Sequence, residues 1–185
     1  CTFSGRSNGV IQTEGEQASD LVKRFVTMKT LGAEKVFWCY IEEPNYEPNT
    51  DEGFFDQSGL IYDGKGEFDR GAGVKKKAYF AYKELVEMLS NTTTLVYNQD
   101  DGTTYLSVFS KEDKTISVLW QDKWMGNKTV RIIGNGSLIV YSIYGEKLYT
   151  VDGSIDLKLD IEPVYIEGDV KEYGYLSAPP IERPG

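Results

Sequence analysis

No histidine occurs anywhere in the chain, and cysteine occurs twice, as Cys1 and Cys39. The first absence excludes Ser-His-Asp triads, Cys-His dyads and the common zinc sites within these residues, because each needs an imidazole. Two cysteines make neither a disulfide framework nor a metal site. Cys39 lies inside an apolar run, where it is expected as a buried free thiol behaving as a small hydrophobe. Basic residues are outnumbered: 20 Lys and Arg face 29 Asp and Glu, for a net charge of −9. That balance argues against nucleic acid, whose phosphates need a basic footprint, and against anionic membrane surfaces. No apolar run approaches the roughly 20 residues needed to span a bilayer. Nothing at the N-terminus resembles a signal peptide, and a first residue of Cys1 fits a processed terminus or a fragment.

What is present fits a soluble globular protein. The 185 residues suffice for one large domain or two small ones with a real core. Aromatics are plentiful, with thirteen Tyr, eight Phe and three Trp. Flat apolar faces with polar tips suit sugar binding, and they suit a β-rich core equally.

The pattern along the chain changes once. Residues 16–31, "EQASDLVKRFVTMKTL", place Ala18, Leu21, Val22, Phe25 and Val26 at helical spacing, and Gly32 follows as a stop. Next comes "VFWCYI", residues 36–41, an unbroken apolar run ending at Glu42 and Glu43. A helix followed at once by such a run is one step of a parallel sheet, whose strands are sheltered on both faces. A loop rich in Gly, Asp, Glu and Phe spans 42–73, and a second helix is expected over 74–89. After Ser90 the period drops to two. Short alternating segments such as "KTISVLW" and "SIDLKLDI" are separated by turn signals at Lys111-Glu112-Asp113, Gly134-Asn135-Gly136, Gly145-Glu146 and Asp152-Gly153. Seven or eight such strands predict an antiparallel sandwich. The tail "SAPPIERPG" carries no core residues.

Three stretches together carry a family resemblance: "TFSGR", "QTEGEQASDLVKRFVTMKTLGAEKVFWCYIEE" and "GFFDQSGLIYDGKGEFDRGAGVKKKAYFAYKELVEML". They resemble the closing section of the (β/α)8 barrel of clan A glycoside hydrolases, of the xylosidase-like kind that carries a C-terminal β-sandwich. The seventh helix there begins near "QAS", the eighth strand reads K-x-F-W, and the eighth helix contains "KKxAYxAYK". "PVYIEG", residues 163–168, is similar to the last strand of the accessory sandwich. The resemblance implies a mixed α and β chain. An incomplete (β/α)8 barrel remnant of two helices and one parallel strand occupies residues 1–90, an antiparallel β-sandwich follows over 91–176, and 177–185 form a tail.

The resemblance also places the catalytic pair outside this sequence. The family nucleophile Glu falls about two positions before Cys1, and the acid/base Glu much earlier. Glycoside cleavage needs one carboxyl to protonate the leaving oxygen and a second, about 5 Å or about 6.5–9.5 Å away, to attack or activate water. One strand and two helices cannot supply that geometry, so no catalytic residue is assigned here. The expected function is that of the C-terminal piece of a glycoside hydrolase, inactive alone. The alternative is a non-catalytic carbohydrate-binding or structural β-sandwich module.

Trp38, Glu42 and Glu43 are the candidate substrate-binding residues. By resemblance Trp38 lines the sugar subsite at the cleavage point; otherwise it is core. Glu42 and Glu43 stand where a barrel strand delivers side chains to its functional face, and they are otherwise solvated acids. Glu14 and Glu16 read as first-turn acids favoured by the helix dipole rather than as a catalytic motif. The loop aromatics Tyr46, Phe54 and Phe55 would belong to a wall of the cleft. "DGKGEFD" reads as a turn, since it lacks the spacing and closing Glu of a calcium loop. Trp120 and Trp124 could form a carbohydrate platform or a structural strand and loop. "NTT", "NKT" and "NGS", at Asn91, Asn127 and Asn135, match the glycosylation pattern. No cofactor or metal is called for. The expected partner is carbohydrate in the intact parent, with no nucleic acid and no membrane, and with self-association through exposed barrel-end surfaces.

Overall fold

The computed structural model describes residues 2–7, 10–44, 57–65, 68–96, 104–121 and 128–176. A short antiparallel hairpin, β1 (Gly5–Ser7) and β2 (Val10–Gln12), leads into α1 (Glu14–Thr30). Thr13 starts that helix with a reciprocal capping box. Its hydroxyl accepts from the Glu16 amide at 3.2 Å, and the Glu16 carboxylate accepts from the Thr13 amide at 2.7 Å. Ala18, Leu21, Val22 and Val26 form the buried stripe. The second helix, α2 (Lys77–Leu89), begins three residues later than its periodicity predicts. Val74 to Lys76 are held in extended backbone instead: Tyr62 donates to the Val74 carbonyl, and the Lys76 amide donates to the Leu60 carbonyl.

After α2 the chain forms β3 (Thr93–Val96), β4 (Thr104–Lys111), β5 (Lys114–Gln121), β6 (Thr129–Ser142), β7 (Lys147–Lys158) and β8 (Val164–Leu176). Among the described residues these make one six-stranded antiparallel sheet in the order β3-β4-β5-β8-β6-β7. Of the seven or eight short strands expected, six occur among the described residues, and β6, β7 and β8 are long. Gly134-Asn135-Gly136 is not a turn but an irregularity within β6, and Asp152-Gly153 lies inside β7. Glycine is required where β6 and β8 approach: a Cβ on Gly168, at φ +151°, would stand 2.8 Å from the Ser137 carbonyl oxygen. The turns at Glu112-Asp113 and Gly145-Glu146 do connect strands.

Alternation along the strands serves two apolar layers. Phe109, Ile116, Val118, Trp120 and Tyr165 pack with Leu21, Val22, Ala81 and Leu85 of the helices. Leu106, Val108, Leu119, Val140 and Ile166 turn to the other face and join Leu138 and Leu157. The strand buried on both faces is therefore β5, within an antiparallel sheet.

Residues 36–41 correct the sequence-based expectation most sharply. They belong to no sheet among the described residues; the nearest pairing is a single parallel bridge between Glu42 and Ile61. Exposure alternates along them. Val36, Trp38 and Tyr40 are half-buried, whereas Cys39 is exposed, Phe37 is 83% exposed and Ile41 51%. One side lies on the helices and the other is bare, because among the described residues no neighbouring strand covers it. Cys39 is disulfide-bonded rather than a buried free thiol.

Candidate functional site

The carboxyl end of the 36–44 segment is tied to the loop that follows it. The Ile41 carbonyl accepts from the Leu60 and Ile61 amides at 2.8 and 3.0 Å, and the Glu43 amide donates to the Ile61 carbonyl at 2.9 Å. These bonds turn the Glu43 side chain inward, where it is buried against Lys76. Lys76, fully buried at the start of α2, donates to the Glu43 carboxylate and to the Gln57 carbonyl at 3.1 Å. Its ammonium also lies 4.6 Å from the centre of the Tyr62 ring.

Burial dominates the electrostatics here. It raises the Glu43 carboxyl to about 7, against the opposing pull of the Lys76 ammonium. Burial likewise lowers Lys76 below its usual value, with Glu43 acting in the other direction. A carboxyl poised near neutrality is chemically capable of proton transfer. Its close ammonium partner also makes it a structural lock.

Glu14 is a second junction. Its carboxylate accepts from the Tyr62 hydroxyl at 2.9 Å and the Lys77 amide at 2.8 Å, and it pairs with Arg70 at 3.1 Å. Lys76, the N-cap of α2, makes no side-chain cap, so Glu14 supplies it from the neighbouring helix. Burial, and then the Glu14 carboxylate, push the Tyr62 phenol above its ordinary range.

Carboxylate oxygens of Glu43, Asp63 and Asp69 lie within 4.8 Å of one another. All three are engaged by backbone donors, Glu43 by the Asp63 amide. Asp69 accepts from the Gly64 and Lys65 amides at 2.8 and 3.1 Å, and Asp63 accepts from Lys65 at 2.9 Å. Glu43 faces Lys76. Asp63 and Asp69 thus share the Lys65 amide, with Lys76 supplying the local positive charge, while Gly66 and Glu67 of "DGKGEFD" lie outside the described residues.

Of the three candidate residues, Glu43 sits in the buried pair and Glu42 is exposed beside it. Trp38 is turned toward α1, its ring tilted against Phe25 at 6.4 Å, and its indole N–H donates to the Ser58 carbonyl at 2.9 Å. The three are connected through the 57–62 backbone but do not line one pocket. Trp120 is buried and stacked on Tyr105 at 5.1 Å, inside the helix–sheet core. Trp124, Tyr46, Phe54, Phe55 and Asn127 lie outside the described residues. Asn91 follows α2 in a left-handed conformation, and Asn135 donates to Asp169 from β6. Sequence reasoning missed Lys76. It is one of three consecutive lysines, and nothing in "VKKKAY" marks which one is buried. It also missed Gln17, whose buried amide donates to the Gly59 carbonyl at 3.2 Å.

The bare segment is flanked by two grooves. One, of about 330 Å³, lies between Phe25, Lys29, residues 33–37 and the C-terminal half of α2. The other, of about 380 Å³, lies between Val36–Trp38 and the outer side of α1 at Lys23, Arg24, Thr27 and Met28.

No family model matches the chain, and no curated protein does. A solved structure does: the crystal structure of a GH30 endoxylanase from Clostridium papyrosolvens C71 superposes with a TM-score of 0.52 at 10% identity. The match covers 91% of this chain and 40% of that one, so the chain spans well under half of the enzyme it resembles. At that identity the likeness shows fold alone, and the fold it shows is glycoside-hydrolase-like.

Proposed function

We propose that this chain is the C-terminal part of a glycoside hydrolase, comprising the end of its (β/α)8 barrel and its β-rich accessory domain. The observation that carries the reading is the alternate exposure of residues 36–41, with Phe37 and Ile41 bare on one side and Trp38 against α1 on the other. That is the pattern of a barrel strand whose helix layer is present and whose interior is missing. The partial match to a GH30 endoxylanase supports the same reading.

In the intact parent two upstream Glu residues hydrolyse an O-glycosidic bond, one as acid and one as nucleophile or base. This chain contributes a wall of the cleft. Glu42, exposed at the carboxyl end of the strand, is assigned to accept hydrogen bonds from sugar hydroxyls. Glu43 and Trp38 stand behind that subsite and act by fixing the loop that bounds it, through Lys76 and the Ser58 carbonyl. The burial of Trp120 weighs against a carbohydrate platform on the sheet.

The purified chain is expected to release no aryl alcohol from aryl glycosides, whereas the same chain joined to its upstream coding sequence does. Turnover by the isolated 185 residues at enzyme-like rates would sink the reading.

A further inference from the structure

We propose that the groove between the first half of α1 and the end of the sheet at Trp120 and Glu162 binds a neutral saccharide through its hydroxyls. The site does not rest on the glycosidase reading. It needs this chain alone, and the groove shares no lining residue with Trp38, Glu42 or Glu43.

The groove measures about 780 Å³, within the range of small-ligand sites. One wall is the α1 surface at Glu16, Ser19, Asp20 and Lys23. The other joins Tyr105 and Trp120 to Asp160 and Glu162 of the β7–β8 connection. Both walls are braced from behind. Glu16 belongs to the capping box, and Asp20 accepts from the Gln12 side chain at 2.9 Å. The Gln121 amide donates to the Asp160 carbonyl at 3.0 Å, and the Tyr144 hydroxyl donates to the Glu162 carboxylate at 3.2 Å. Walls fixed in this way spend little ordering entropy on a ligand.

Two buried polar side chains point to that ligand. Trp120 is 5% exposed and Ser19 6%, and both line the groove. Among the described residues neither the Trp120 indole N–H nor the Ser19 hydroxyl has a hydrogen-bond partner, yet neither atom is sealed off. A buried indole N–H is ordinarily paired within the protein. Here it is turned to the groove instead. Tyr105 covers the face of the Trp120 ring, stacked at 5.1 Å and 10°. A ligand therefore meets the edge of Trp120 and not a stacking platform.

Hydrogen-bond chemistry narrows the class. The indole N–H can only donate, and the ionised carboxylates of Glu16, Asp20, Asp160 and Glu162 can only accept. One group answers both, and it is a hydroxyl. An ammonium compound would satisfy the acids and leave the indole unpaired. A metal ion fits less well still. Among the described residues only Glu43, Asp63 and Asp69 bring three ligating oxygens within 4.8 Å of one another, and none of them lines this groove. Four carboxylates against Lys23 alone among the described lining residues also reject an anionic sugar. What remains is a neutral ligand with hydroxyls spaced along its length.

The test titrates the purified 185-residue chain with xylotetraose, cellotetraose, tetragalacturonate and spermidine, following heat and Trp fluorescence. At least one of the two neutral probes is expected to bind more tightly than either charged one. Trp120→Phe keeps a ring against Tyr105 and loses the N–H, and it is expected to weaken that binding about three- to tenfold, the usual range for one hydrogen bond. Asp160→Asn is expected to weaken it by a similar factor of about three to ten. Asp160 is exposed, so this second variant should keep the wild-type melting temperature and separates lost binding from misfolding. Binding that either variant leaves unchanged overturns the proposal. So does the absence of binding by both neutral probes, and so does tighter binding of spermidine or tetragalacturonate.

Discussion

Lys76 and Glu43 show how much one buried pair can decide. Neither charge reaches water, so each depends on the other and on the Gln57 carbonyl. Replacing Lys76 by Met leaves a buried carboxylate without its partner, which costs about 3–5 kcal/mol when that carboxylate is ionised. The cost is expected to be larger at pH 8 than at pH 5, where Glu43 takes up a proton; urea denaturation at the two values measures it. Glu43 itself gives a signed pH dependence. Its folded value of about 7 lies above the usual 4.5, so the folded state holds the proton more tightly than the unfolded chain. The resulting stabilisation is complete below about pH 4.5 and is lost as pH rises through 7. Glu43→Gln should therefore gain on the wild type in melting temperature between pH 5 and 7. A constant difference across that range would refute the assignment.

At the scale of elements, the two helices are joined at their N-termini as well as through their apolar stripes. Thr13 and Glu16 close the box on α1, while Glu14, one turn position away, caps α2. Thr13→Ala should lower stability by about 1 kcal/mol, the usual value for a lost N-cap. Glu14→Ala should cost more, because it strips partners from the Tyr62 hydroxyl, the Lys77 amide and Arg70 together. Chemical denaturation of the two variants separates these effects; equal losses would show that the Glu14 junction adds nothing. Much of this level was legible beforehand. The stripe Ala18, Leu21, Val22 and Val26 is buried where its spacing puts it, and Glu14 and Glu16 lie in the first turn as expected. The start of α2 was not legible, since Val74 to Lys76 prefer pairing with 60–62 to helical bonds, and that partner is set by tertiary contact.

For the whole molecule, the salient fact is an imbalance between its two layers of apolar surface. The sheet is covered on both faces at β5, yet Phe37, Ile41, Leu31 and Val86 remain exposed on the helical side. The chain should therefore bind an environment-sensitive hydrophobic dye while fully folded, and Phe37→Ser should reduce that signal without lowering the melting temperature. Dye binding that is unchanged in the variant would place the accessible apolar surface elsewhere.

The sequence by itself determined the helical stripes and the switch from period 3.6 to period two after Ser90, and its resemblance pointed to a glycoside-hydrolase-like fold. These are local patterns, and local patterns are carried by neighbouring residues. Tertiary structure alone decided that Gly134-Asn135-Gly136 bends one long strand instead of ending it, because the bend depends on how closely β8 passes. It alone chose Lys76 among three lysines as the partner of Glu43, and it left one side of "VFWCYI" bare. An apolar run states that a strand is fit to be covered; only the packing of distant segments determines whether cover is there.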